Sequence, residues 1–103
     1  MPMPVPAWIK GDAMIKKFDF LSDPGHGWIK VPRALINSLG IAANISRYSY
    51  QRGEFAYLEE DRDLSVFFNA YRERFGIDPV MRERNAREKR SRVRGYDTYT
   101  IQG

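Results

Sequence analysis

The single histidine, His26, stands three residues after Asp23 in Ser22-Asp23-Pro24-Gly25-His26-Gly27-Trp28. A carboxylate at that spacing can orient an imidazole for proton transfer. The same residues also spell a turn, in which Asp23 caps its own backbone, Pro24 presets φ and the glycines permit positive φ. One His and no Cys exclude a His-pair metal site, a thiolate zinc site and a cysteine nucleophile. The turn is therefore the reading taken, with His26 exposed or stacked on Trp28. A second constellation, Glu59-Glu60-Asp61-Arg62-Asp63, could offer paired carboxylates to a hydrated Mg²⁺. It lacks the Gly-centred ligand loop of a calcium site, and acids in this pattern fit the positive start of a helix. Phosphate loop, dinucleotide fingerprint and Gly-x-Ser-x-Gly elbow are all missing from the sequence. The expectation is a protein that is not an enzyme and carries neither cofactor nor metal.

What the sequence does offer is cationic charge, unevenly spread. The net charge is +4 over 103 residues. Residues 10–52 hold +4, residues 53–81 hold −4 and residues 82–95 hold +5. The last block contains Arg82, Arg84, Arg87, Lys89, Arg90, Arg92 and Arg94. Seven cations there can neutralise several phosphates, with released counterions driving the binding. The preponderance of Arg over Lys suits bidentate contacts to phosphate or carboxylate. The alternatives are a solvated extension, or a tail folded back onto the acidic segment around Glu59 and Asp63. Tyr48, Tyr50, Phe55 and Tyr57, with Arg47 and Arg52 beside them, could stack bases. Such rings more commonly form the core face of a sheet, so most are assigned to the core and one or two Tyr to the rim.

These residues need a scaffold to hold them. The length gives one domain, and 43% apolar residues with fourteen aromatics supply one modest core. Residues 1–13, with three prolines, read as an extended arm. Residues 14–79 read as an α+β domain of two hairpins, each followed by an amphipathic helix (ββαββα), and residues 80–103 as a basic C-terminal tail. Within the domain, Lys16–Leu21 and Trp28–Val31 make the first hairpin. Pro32 fits the first position of a helix whose stripe is Leu35, Ile36 and Leu39, and Gly40-Ile41 forms its stop. Ser46–Gln51 and Phe55–Leu58 make the second hairpin, turning at Arg52-Gly53. Leu64, Phe67, Phe68, Tyr71 and Phe75 share one helical face, ended by Gly76-Ile77. Residues 82–94 hold one apolar residue larger than alanine, Val93, and so no face to bury. Tyr96–Ile101 has strand propensity and could extend a sheet edge. No apolar run reaches the ~20 residues of a membrane helix, and the start has no basic n-region. A soluble, cytoplasmic protein without a membrane partner is expected.

Two stretches carry resemblances. Phe20–Pro32, Ile45–Tyr50 and Tyr57–Asp61 resemble small uncharacterised proteins of phages, plasmids and related mobile elements, which implies that context and no chemistry. Gly27-Trp28-Ile29-Lys30-Val31-Pro32-Arg33-Ala34-Leu35-Ile36-Asn37-Ser38-Leu39-Gly40-Ile41 is similar to the strand–Pro–helix–Gly unit of AbrB/MazE-type swapped-hairpin DNA-binding proteins. That resemblance implies a homodimer whose first hairpin meets DNA, here through Lys16, Lys17, Lys30 and Arg33. The loop is longer than that family's, and Trp28 stands where it usually carries Arg. The functional expectation is a non-catalytic mobile-element protein binding DNA, RNA or a nucleoprotein through basic surfaces. The alternative is a protein-directed inhibitor or adaptor, such as an anti-CRISPR-like anti-defence protein.

Overall fold

The computed structural model describes residues 17–85 and 90–101; the expected arm, Lys16, Arg87 and Lys89 lie outside them. Six strands form one mixed sheet: β1 (Lys17–Ser22), β2 (Gly27–Pro32), β3 (Tyr50–Arg52), β4 (Phe55–Glu59), β5 (Val80–Asn85) and β6 (Asp97–Thr98). Their order is β5-β1-β2-β4-β3-β6. Two α-helices accompany it, the short α1 (Arg33–Ser38) and the longer α2 (Asp63–Phe75).

This corrects the expected ββαββα arrangement, because the sheet dominates and recruits residues assigned to the basic tail. β5 pairs in parallel with β1, setting Lys17 against Val80 and Asp19 against Arg82. β6 pairs with β3 through Tyr50 and Thr98. The physical reason lies in the position of β5. An edge strand needs only one hydrogen-bonding partner, and charge on both its faces guards it against further pairing. It therefore carries no apolar alternation, and its partner lies sixty-odd residues away.

The pleat sorts the side chains onto two faces. Ile29 and Val31 of β2, with Ala56 and Leu58 of β4, meet α1 and α2 in the main core. Phe18 stands edge-on to Phe67 at 5.3 Å and to Tyr71 at 5.8 Å. The alternate residues Trp28 and Tyr57 build a smaller cluster on the other face with Leu21, Tyr50, Phe55 and Tyr96. Val93 completes it at 0% exposure, so the stretch expected to have nothing to bury closes a core.

Local punctuation explains the connections. Pro32 ends β2 and is the N-cap of α1, one residue earlier than its predicted place. The Gly40 and Ile41 N–H groups donate to the Asn37 and Ile36 carbonyls at 3.1 and 3.3 Å, the two bonds of a Schellman stop. At the end of α2, Gly76 donates to the Arg72 carbonyl at 2.8 Å, while Ile77 stays 37% exposed. The second helix thus lacks the apolar clasp of the first. Neither glycine of the Asp23–Gly27 turn takes the left-handed φ found at Gly40, Gly53 and Gly76. Gly27 is required for space instead, since a Cβ there would lie 2.4 Å from the tip of the Phe20 ring. Gly27→Ala should cost about 1–3 kcal/mol through overpacking, read as a lowered urea midpoint with an unchanged m-value.

Candidate functional site

The face of the sheet that carries Trp28 and Tyr57 is covered only in part. Its Trp28–Tyr57–Val93 half is closed by the C-terminal segment, and the other half opens into a groove of about 620 Å³. Four cations on four different elements line that groove: Lys17 of β1, Lys30 of β2, Arg33 at the start of α1 and Arg82 of β5. The fold explains the convergence. Lys17 begins β1 where Val80 begins β5, and Lys30, two residues before the end of β2, precedes Arg33 by three. The Arg33 backbone N–H donates to the Glu54 carbonyl at 2.8 Å, which pins the helix start to the β3–β4 turn.

Each cation has a defined setting. The Lys30 ammonium sits 4.1 Å from the centre of the Phe55 ring, a cation–π contact that orients it without neutralising it. Arg33 donates to the Thr100 carbonyl at 3.1 Å. Arg82 donates from Nε and Nη2 to one Asp19 oxygen at 3.0 and 2.9 Å. Arg84 approaches the same oxygen at 3.7 Å. One carboxylate thus serves two guanidiniums that are each more than half exposed, leaving an excess of positive charge at the β1–β5 edge. Chemically, the groove gathers positive charge beside an aromatic wall.

Other expected contacts fall elsewhere. Arg90 and Arg92 are exposed beyond the groove. Arg94 is engaged in a latch: its Nε and Nη2 donate to Asp23 at 2.6 and 2.9 Å. Asp23 also accepts from the backbone N–H groups of Ser91, Gly25 and His26 at 2.9–3.0 Å. Its side chain is 2% exposed. The Arg94 guanidinium, helped by these backbone donors, holds the Asp23 carboxyl well below the usual carboxylate range. Asp23 therefore caps its own turn and ties down the C-terminal segment. His26 is exposed, with its ring 6.2 Å from Trp28 at a tilt.

The acidic run is likewise structural. Glu59 accepts from the N–H groups of Asp61, Arg62 and Asp63 at 2.8–3.2 Å, satisfying donors at the start of α2. This is the capping role expected of Asp61 or Asp63. Asp63, wholly buried, turns the other way. It accepts from the Ser46 N–H at 3.0 Å and from the Ser46 and Ser49 hydroxyls at 2.6 and 2.5 Å. Sequence reasoning missed this network, whose only local signal is a pair of serines in a Tyr-rich stretch. Among the described residues, no cluster of three or more His, Cys, Asp or Glu is arranged to hold a metal, and no helix is long and apolar enough to cross a membrane.

The chain matches no protein-family model, no curated protein and no solved structure.

Proposed function

We propose that this protein binds nucleic acid, without catalysing a reaction on it, by seating the phosphate backbone in the groove between β1, β2, α1 and β5. The observation that carries the reading is the meeting of Lys17, Lys30, Arg33 and Arg82 in one open concavity. Three separate stretches of the chain, at Lys17, Lys30–Arg33 and Arg82, deliver cations there, against Asp19 and Glu54 as the groove's acids. Phosphate contacts give affinity and register with little sequence preference, which agrees with a site rich in charge and poor in amide side chains. The resemblance to mobile-element proteins supplies a setting in which such binding has a use.

The test is a salt titration of binding to labelled oligonucleotides, single-stranded and duplex, by fluorescence anisotropy. Affinity should fall steeply with salt. The double variant Lys17→Ala/Lys30→Ala should flatten the log–log slope by about 1.5, since each phosphate contact contributes roughly 0.7–0.9. Absence of binding to either form at low salt would overturn the reading and favour an acidic protein surface as the partner.

A further inference from the structure

A second concavity, of about 410 Å³, is walled by His26, Trp28, Tyr48 and Tyr50 and rimmed by Asp61 and Arg62. It lies at the Trp28 end of β2, whereas the basic groove lies at the Pro32 end. Trp28 of the one and Lys30 of the other are two residues of strand apart, about 7 Å, a span one short oligonucleotide can bridge. Its volume falls within the roughly 300–1,000 Å³ of small-molecule sites.

The rings of this pocket are held in different ways. Trp28 is 3% exposed, with Tyr50 edge-on at 6.1 Å and the Arg94 guanidinium over its ring at 5.3 Å. Tyr48 is 77% exposed, yet its backbone is fixed. Ser46 and Ser49 on either side are bound to the buried Asp63 carboxylate. The Tyr48 N–H donates to the Ser46 hydroxyl at 3.2 Å, and the Ser49 carbonyl accepts from Tyr99 at 2.9 Å. A buried network thus presents an aromatic ring to solvent on a rigid turn, an arrangement that loses little backbone freedom when something stacks on it. The rim is balanced in charge. Asp61 and Arg62 are both exposed, Glu59 is occupied by the α2 backbone and Arg94 by Asp23. Balanced charge over aromatic walls suits a planar, neutral guest with donors and acceptors along its edge.

We propose that this pocket accepts one unpaired nucleobase, stacked on Tyr48, with Asp61 accepting from and Arg62 donating to the base edge. The proposal rests on the nucleic-acid reading and adds that the bound strand is single at this point, because a paired base is not free to leave its stack. Guests of the same chemistry come from two sources, a strand or a free nucleotide.

Anisotropy titrations of a labelled single-stranded 12-mer and a duplex of equal length test it. Tyr48→Ala should weaken single-strand binding about 5- to 100-fold, leave the salt slope unchanged and leave duplex binding unaffected; Tyr48→Phe should restore affinity. Unchanged single-strand affinity in Tyr48→Ala, alongside weakening by Lys17→Ala/Lys30→Ala, would overturn the pocket and keep the groove. Equal weakening on the duplex would also overturn the unpaired base. Should neither oligonucleotide bind, a fluorescence titration with free nucleoside monophosphates decides, using Trp8→Phe so that Trp28 reports. Quenching lost in Tyr48→Ala supports the pocket with a free nucleotide as its guest, and no quenching overturns it.

Discussion

Phe67→Ala is expected to cost about 3–5 kcal/mol, a large share of the ~5–15 kcal/mol that holds a small domain together. Phe67 is 0% exposed and stands within 6.3 Å, centre to centre, of Phe18, Phe68 and Tyr71. Its removal opens a cavity between α2 and the sheet that rigid aromatic neighbours cannot collapse to fill. Denaturant titration should show a greatly lowered midpoint, or no folded baseline at all. Phe68→Ala, at a half-buried position, should lose clearly less, so the pair of variants separates the inner edge of the helical face from its rim. A Phe67→Ala protein melting within a few degrees of the parent would mean that α2 presents another face to the core.

The elements with local determinants were legible. The α2 stripe follows from helical periodicity, the stop of α1 from Gly40-Ile41, and the two hairpins from alternation around Gly-containing turns. Errors arose where a partner lies far along the chain. The expected strand from Ser46 begins only at Tyr50, because Asp63, at the start of α2, captures Ser46 and Ser49 and bends the intervening residues into a turn. β5 was hidden because its pattern, Val80-Met81-Arg82-Glu83-Arg84-Asn85, reads as solvated charge. Its order comes from the backbone ladder to β1 and from Asp19, neither of which leaves a periodic trace. Val93 shows the limit of counting apolar residues: a single one is enough when the sheet already presents Trp28 and Tyr57 for it to cover.

The site was legible in kind and not in arrangement. Lys17, Lys30, Arg33 and Arg82 were all candidate contacts, taken from two separate regions of the chain. That they share one groove depends on the parallel β1–β5 pairing, which composition cannot reveal. Arg94 belonged to the same candidate set, but it is drawn away by Asp23. The turn chemistry of Asp23-Pro24-Gly25 was readable, since Gly25 and His26 donate to Asp23. Its second task was not, because the Ser91 and Arg94 donors arrive from about seventy residues away.

That second task sets the other large expected effect. Asp23→Ala should destabilise the fold by about 1–3 kcal/mol, the cost of leaving enclosed donors without their acceptor, since donors from Ser91 and Arg94 converge on this carboxylate. The loss has two parts: the Ser91 N–H and the Arg94 guanidinium lose their acceptor, and the segment carrying Val93 loses its anchor over Trp28 and Tyr57. Dependence on pH separates the carboxylate from simple packing. Its folded pKa lies below that of an unfolded aspartate, about 3.9, so the folded state holds fewer protons across the interval between the two values. The stability from the ionised carboxylate is therefore fully present above the unfolded value. It declines as pH falls below that value and is exhausted only beneath the folded one. Melting temperatures between pH 6 and pH 2 should fall more steeply for the parent than for Asp23→Asn, which has no proton to gain at this position. The two curves should converge towards the acid end. Added salt should change the neutral-pH gap little, because a pair with one side chain this deeply enclosed is weakly screened. Parallel pH curves for parent and Asp23→Asn would show that the carboxylate holds the C-terminal segment by shape alone.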